Sequence, residues 1–350
     1  MEILNFDNFE RPPVSLQKHY DGQSGNKEHI LINGEDYFLK YPKRIISERN
    51  KFKNVELSYS NSPLSEFIGS HFYEILGFNV HKTVLGYSQN RGYALTACKD
   101  FLSKGDSLDE FKKIKVSYAP IQSENESNSS GEGCNLDEII SVIKTNPFLN
   151  SIGGIEEHFW DMFVVDAFIG NMDRNNGNWG IIRHIDGQNE ISPIYDNGNS
   201  FNNKWDEQKI VRVICDNEMM KSQAYKGRTC IFTKTDKNGD ESFLNPYKVI
   251  ASMQYKGLNE AVERLVPKLY EKKKEFIDFI ESIPNEVNGI TIISETQKLF
   301  FKRLIKIRYN EILNPTFYNI KNPDCNREIS FKTTKLDSDK TLDNEWLSKS

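Results

Sequence analysis

An apolar helix that runs directly into a polar loop, within residues 160–201, constrains the fold more than any other part of the sequence. Residues 160–169 are mostly apolar and contain no Gly or Pro, which predicts a buried helix. Gly170 and Asn171 then predict its end, because these residue types commonly close helices. We therefore expect residues 171–178 to form a polar loop at the end of a buried helix.

Two strand-like runs follow this loop, at residues 179–185 and 191–195. Asp186 and Gly187 lie between them and have the turn chemistry of a hairpin. Asp196 comes directly after the second run. The sequence thus predicts a second carboxylate at the end of a hairpin.

The spacing of three polar residues along this segment has a chemical logic. Asp173 and Asn178 are five positions apart, and the hairpin leads on to Asp196. In protein kinases, a loop Asp accepts the proton of the attacking hydroxyl, whereas an Asn five positions later and an Asp after a hairpin bind Mg²⁺. Such oxygen ligands suit Mg²⁺. The spacing alone is a weak signal. The helix before it and the hairpin after it make the kinase interpretation stronger. The alternative is an ordinary polar loop on an α+β domain.

Residues 170–180, Gly-Asn-Met-Asp-Arg-Asn-Asn-Gly-Asn-Trp-Gly, resemble the catalytic loop of the HipA-like kinases, and most closely that of their CtkA-type branch. The family pattern is Asn-x-Asp-Arg-His-x-x-Asn, and Asn175 here replaces the His. The resemblance implies an α+β, two-lobed, protein-kinase-like fold. It implies a β-rich N-lobe over residues 1–100, a helical C-lobe over 101–320 and a polar tail over 321–350.

The first hundred residues contain the elements that a kinase N-lobe needs. Strand-like runs at 29–32 and 36–40 are joined by Asn-Gly, a strong hairpin signal, and the second run ends in Lys40. A predicted helix over residues 61–76 carries Glu66. In kinases, such a Lys contacts the phosphates and pairs with such a Glu. We therefore expect a Lys40–Glu66 pair, the alternative being a solvated acid in the first turn of the helix.

A glycine-containing loop precedes this hairpin. Gly22, Gly25, Asn26 and Lys27 match the Gly-x-x-Gly-Asn-Lys stretch of the CtkA-type branch. Backbone N–H groups in such a loop form a nest that binds phosphate. The resemblance also implies a regulatory autophosphorylated serine at Ser24, the alternative being a plain turn residue.

The lobe hinge is predicted just after a second antiparallel pair of strands. Residues 80–87 and 92–98 have the composition of such a pair. We expect backbone groups of Ala97, Cys98 and Lys99 to contact adenine.

The resemblance as a whole implies an ATP- and Mg²⁺-dependent serine/threonine-protein kinase that also phosphorylates itself. The implied catalytic residues are Asp173 as the base, Lys40, Glu66 and Asn175. The implied metal ligands are Asn178 and Asp196. The implied ATP-binding residues are Gly22, Ser24, Gly25, Asn26, Lys27, Lys40, Ala97, Cys98 and Lys99.

Composition excludes several other classes. A net charge of −5 argues against a dedicated nucleic-acid-binding protein. No apolar run is long enough to span a membrane, and the N-terminus lacks the pattern of a Sec signal peptide. The five cysteines are scattered without Cys-x-x-Cys, which argues against a disulfide framework or a zinc site. We expect a cytoplasmic protein, with export by a route without a signal peptide left open, and a disordered insertion at 121–133.

Two other functions stay open at this point. Phosphatidylinositol kinases share an Asp-Arg-His-x-x-Asn loop, so a lipid or small-molecule acceptor is one alternative, although no basic amphipathic membrane-binding element is evident. The other is a nucleotide-binding pseudokinase or toxin-type module that acts through a partner. An antitoxin-like partner is likewise left open, beside a protein substrate with a serine or threonine acceptor.

Overall fold

The computed structural model describes residues 1–12, 28–42, 61–118, 135–234, 241–325 and 327–331. The strands are β1 (Leu4–Asn5), β2 (His29–Ile32), β3 (Glu35–Lys40), β4 (Thr83–Ser88), β5 (Tyr93–Lys99), β6 (Ser107–Glu110), β7 (Gly180–Arg183), β8 (Asn189–Ile191), β9 (Phe232–Lys234), β10 (Glu241–Phe243), β11 (Glu286–Val287) and β12 (Ile290–Thr291). The α-helices are α1 (Ser62–Ile75), α2 (Phe111–Tyr118), α3 (Leu136–Thr145), α4 (Pro147–Ile152), α5 (Ile155–Ile169), α6 (Glu207–Ile214), α7 (Asn217–Tyr225), α8 (Pro246–Ser252), α9 (Lys256–Glu271), α10 (Lys273–Ser282), α11 (Glu295–Arg308) and α12 (Asn314–Lys321). A π-helical segment, Tyr309–Leu313, joins the last two helices.

A five-stranded sheet with the order β1-β4-β5-β3-β2 forms the N-terminal part. The predicted β2–β3 hairpin is confirmed, and its turn residues Asn33 and Gly34 both have positive φ, as a tight two-residue turn requires. Strand β5 lies between β3 and β4, and its register places Thr96 opposite Lys40. The sheet ends at Lys99, next to the predicted lobe boundary.

Helix α1 connects this sheet to the larger helical core. It begins at Ser62, and the Pro63 carbonyl accepts a hydrogen bond from Thr96 Oγ1 of β5, at 2.6 Å. On another side of the helix, Phe72 stacks on Phe276 of α10, with ring centroids 4.4 Å apart. Helix α1 therefore packs against both the sheet and the C-terminal helices.

Helix α5 is the centre of the C-terminal part. Its apolar side chains are buried almost all round, as the sequence predicts. It ends at Ile169, and Gly170 has a φ of 74°, the left-handed conformation that favours glycine at this position. Arg308 Nη1 donates to the Phe168 carbonyl at 3.1 Å, so a buried cation lies at the negative end of the helix. These contacts fix the point at which the polar loop after α5 begins.

Two predicted strand boundaries were wrong. The second strand of the hairpin after the loop is β8, over 189–191 rather than 191–195, because Pro193 has no N–H for the ladder. Ile194 instead forms a parallel bridge with Val80. Val80 thus lies outside the β4–β5 pair, and β4 begins at Thr83.

Several sequence expectations lie outside the described residues. They are the phosphate-loop residues Gly22, Ser24, Gly25, Asn26 and Lys27, and the insertion at 121–133. Among the described helices, none combines the length and the apolar character that crossing a bilayer requires.

Candidate active site

Lys40 and two carboxylates meet at the junction of the two lobes. Lys40 Nζ lies 2.6 Å from Glu66 Oε2 of α1 and 2.7 Å from Asp196 Oδ1. The predicted Lys40–Glu66 contact is thus present, and Glu66 is fully buried rather than a solvated acid. The Asp196 side chain keeps 46% of its surface exposed, so this carboxylate faces the open side of the cluster.

The electrostatics keep all three groups charged. Burial by itself would lower the pKa of Lys40, but Asp196 and Glu66 together hold that pKa well above its usual value. Burial would raise the pKa of Glu66, yet Lys40 and then His81 hold it well below the usual range. Lys40 also lowers the pKa of Asp196, against the effects of burial and of Glu66. A lysine held between two carboxylates in this way stays cationic at neutral pH.

The polar loop after α5 presents Asp173 to solvent. Asn178 Nδ2 donates to the Asp173 carbonyl at 2.9 Å, and the Asn175 amide N–H donates to the same oxygen at 2.8 Å. Asn175 Oδ1 accepts from the Gly177 N–H at 2.8 Å. The side chains of Asn175 and Asn178 therefore hold the loop in one shape around the exposed Asp173.

Arg174 joins this loop to the segment that carries Asp196, a role that the sequence motif alone does not predict. Its Nη1 donates to the carbonyls of Asn178, at 3.0 Å, and Tyr195, and its Nη2 donates to Asn197 Oδ1 at 2.6 Å. Its Nε lies 2.9 Å from Oδ2 of Asp166 on α5. The pKa of Arg174 is held well above its usual value, because Asp166 outweighs the effect of burial.

Tyr73 of α1 also donates to Asp166, at 2.8 Å. The signal that could have identified this network is the charge of Asp166 within the otherwise apolar run of residues 162–169. A buried carboxylate needs partners.

The oxygen ligands expected for Mg²⁺ fit the chemistry of that ion. Asp196 has a φ of 59°, a left-handed conformation that is uncommon for a residue other than glycine and typical of functional sites. Asn178 is half-buried, and its Nδ2 donates to the Asp173 carbonyl, so its amide oxygen is the atom that could bind the expected ion. A carboxylate and an amide oxygen are ligands that Mg²⁺ accepts.

The predicted adenine-contacting residues lie at the end of β5. Ala97 and Cys98 are buried in the middle of the sheet, and the Lys99 N–H donates to the Lys82 carbonyl at 2.8 Å. The Asp100 N–H donates to the Asp36 carbonyl at 3.0 Å. The role of these backbone groups in adenine binding stays a prediction.

Comparison with known proteins adds two informative similarities. The chain is 27% identical to the serine/threonine-protein kinase CtkA of Helicobacter pylori over 302 residues, which is 86% of this chain and 84% of that protein. The crystal structure of the H. pylori proinflammatory kinase CtkA superposes with a TM-score of 0.75 and 25% identity, covering 93% of this chain and all of that one.

A more distant match is the HipA–HipB–operator DNA complex of Shewanella oneidensis, with 13% identity, a TM-score of 0.48 and coverage of 89% and 71% of the two chains. No protein-family model matches the sequence.

The CtkA similarities confirm both the α+β, two-lobed, kinase-like fold and the resemblance that the catalytic-loop motif predicts. By sequence and by fold, the chain is thus similar to the serine/threonine-protein kinase CtkA, and this similarity supports a protein kinase here.

Proposed function

We propose that this protein transfers the γ-phosphoryl group of ATP to serine or threonine hydroxyls of proteins, including its own, in a Mg²⁺-dependent reaction. One observation carries the proposal: the Lys40 ammonium lies between the buried Glu66 and the half-exposed Asp196, at 2.6 and 2.7 Å. Kinases use this arrangement to place a cation on the ATP phosphates beside a metal-binding carboxylate.

In this proposal, the residues have separate tasks. Lys40 binds phosphate oxygens, and Glu66 orients it. The exposed Asp173 accepts the proton of the acceptor hydroxyl. The bond between the acceptor oxygen and the γ-phosphorus forms while the bond from that phosphorus to the bridging oxygen of ADP breaks, and ADP leaves with the negative charge.

Asn178 and Asp196 would hold the Mg²⁺ ion. When bound, Mg²⁺ neutralises phosphate charge and thereby stabilises the charge that develops on ADP. Arg174 keeps the two ligands in register, since it donates both to the Asn178 carbonyl and to Asn197, the residue after Asp196. Positioning of this kind supplies most of the catalysis in phosphoryl transfer.

The acceptor class rests on two observations. The Asp173 side chain is exposed, so a segment of another protein can reach it. The similar H. pylori protein is named a serine/threonine-protein kinase, which supports a serine or threonine acceptor here.

The test is incubation with γ-labelled ATP and Mg²⁺, alone and with cell lysate, followed by mass spectrometry of the labelled products. Lys40→Ala should abolish labelling while the protein stays folded. Lys274→Ala on α10 is the matched control, because Lys274 is 82% exposed and pairs only with Asp278 among the described residues. It should label as the natural protein does.

Other outcomes identify the alternative functions. Label on lipid with none on protein would indicate a lipid kinase. Thermal stabilisation by nucleotide without any label would indicate a pseudokinase or a module that acts through an antitoxin-like partner, which co-purification would then identify. Full activity of Lys40→Ala would contradict the proposed site.

A further inference from the structure

His81 makes a buried contact with the active-site carboxylate that no sequence motif predicts. It lies between α1 and β4 and is 3% exposed. Its Nε2 is 2.8 Å from Glu66 Oε1 and 3.2 Å from Ser70 Oγ. The Ser70 hydroxyl in turn accepts from Asn197 Nδ2 at 3.0 Å. His81 thus belongs to a buried chain of polar groups that begins at Glu66 and ends beside Asp196.

The chemistry of these groups fixes the direction of the hydrogen bonds. A carboxylate only accepts, so the Nε2 of His81 must carry the hydrogen that faces Glu66. The other carboxylate oxygen of Glu66 accepts from Lys40. Both carboxylate oxygens of Glu66 therefore accept hydrogen bonds, and rotation of the carboxylate would break two charge-assisted contacts.

The backbone of His81 holds the metal-binding segment as well. The His81 N–H donates to the Ile194 carbonyl at 3.0 Å, and the Ile194 N–H donates to the Asn79 carbonyl at 2.8 Å. Ile194 lies two residues before Asp196. One residue therefore contacts the Lys-binding carboxylate through its side chain and the approach to the metal ligand through its backbone.

Helix α1 packs closely against the segment that follows Asp196. A Cβ at Gly69 would lie 2.8 Å from Asn197 Cβ, and a Cβ at Gly198 would lie 3.1 Å from Glu66 Oε2. Only glycine allows the helix and the loop to approach this closely at both positions. The packing of Phe72 against Phe276 holds the same helix on the C-terminal side.

We propose that His81 is a positioning residue that holds Glu66, and through it Lys40, in the phosphate-binding orientation before nucleotide arrives. The inference rests on the proposed kinase function and assigns to that site a residue outside the kinase motifs. If so, contacts within the chain keep Lys40 and Glu66 paired when no nucleotide is bound.

A double-mutant cycle on MgATP affinity tests it, because two residues that act through one another give non-additive effects. His81→Leu should weaken MgATP binding, measured by titration calorimetry, roughly tenfold, since Glu66 loses a charge-assisted hydrogen bond. In a Lys40→Ala background, where Glu66 has no ammonium to orient, the same change should alter affinity by less than about twofold. His81→Gln keeps an N–H near the Nε2 position and should restore most of the affinity.

His71→Leu is the matched control, because His71 lies on the same helix as Glu66 but binds the Phe67 carbonyl and stacks on Phe279. It should leave MgATP affinity unchanged. An equal loss from His81→Leu in both backgrounds would show a merely structural role and overturn the proposal, as would no loss at all. If His81→Leu does not fold, His81→Asn, whose amide is too short to reach Glu66, is compared with His81→Gln. Equal affinities of those two variants would overturn it too.

The proposed kinase function fails in a different way. A natural protein that binds MgATP but transfers no phosphoryl group would contradict that function while leaving the affinity cycle measurable.

Discussion

Arg174 and Asp166 form a buried ion pair, with Nε 2.9 Å from Oδ2, that holds the polar loop after α5 against that helix. A lysine at position 174 could keep the charge but has no planar fork of donors with which to reach Asp166 and Asn197 together. We expect Arg174→Lys to lower the free energy of unfolding by on the order of 2 kcal/mol and to reduce phosphoryl transfer. Chemical denaturation and transfer assays measure both quantities.

The control for that substitution is Arg183→Lys. Arg183 is 48% exposed and binds Asp109 at the surface. The free energy of unfolding of the Arg183→Lys variant should differ from that of the natural protein by no more than about 0.5 kcal/mol. A similar loss of stability in both variants would show that the buried network around Arg174 does not account for the effect of Arg174→Lys.

The two acidic residues of the site should be separable by their effects on nucleotide binding. Asp173→Asn removes the proposed proton acceptor and should lower the transfer rate by about 10²-fold or more, with MgATP affinity nearly unchanged. Asp196→Asn removes a charged metal ligand, so it should weaken the binding of ATP in the presence of Mg²⁺ as well as transfer. Titrations with and without Mg²⁺ distinguish the two. Equal losses of MgATP affinity would overturn the assignment of roles.

Asn175 replaces the family His, and its contacts indicate an orienting role. Its side-chain oxygen accepts from the Gly177 N–H at 2.8 Å within the same polar loop. Asn175→Ala should therefore lower the transfer rate, whereas Asn175→His, which offers a ring nitrogen as acceptor, should keep it within about threefold. An acceleration of about tenfold or more by Asn175→His would instead show that a cation at this position stabilises developing charge.

We expect His158 to make the folded protein less stable in mild acid. Burial, and then the charge of Arg174, lower its pKa to about 4. The unfolded chain binds a proton there near pH 6.5, but the folded chain does not until near pH 4, so stability falls as the pH drops through this window. From these two pKa values, the contribution of His158 to the free energy of unfolding should fall by about 2 kcal/mol between about pH 7.5 and about pH 5. His158→Gln should lose less stability over that interval, measured by denaturation at both pH values.

His184 gives a control of opposite sign. Asp106 raises the pKa of His184, so its contribution to stability is present at low pH and is lost as the pH rises through its folded pKa. His184→Gln should therefore lose more stability than the natural protein between about pH 7.5 and about pH 5. The same response in both histidine variants would contradict this account.

Local patterns in the sequence were enough to predict the elements that carry the site. Helix α5 ends at Ile169, directly before Gly170 as predicted, because its apolar run and the glycine act over a few neighbouring residues. The Asn33–Gly34 turn is likewise a local preference, and it places Lys40 at the end of β3. The spacing of Asp173 and Asn178, together with the helix before them and the hairpin after them, was enough to predict them as candidate site residues.

The partners of those residues were decided only by the tertiary structure. Arg174 meets Tyr195 and Asn197, and His81 meets Glu66, through contacts between segments far apart in the chain. Their donors and acceptors have no period or spacing that a reader of the sequence could detect. The same holds for Ile194, which leaves its expected strand to pair with Val80, since a ladder position is settled by whichever distant backbone comes within hydrogen-bonding distance.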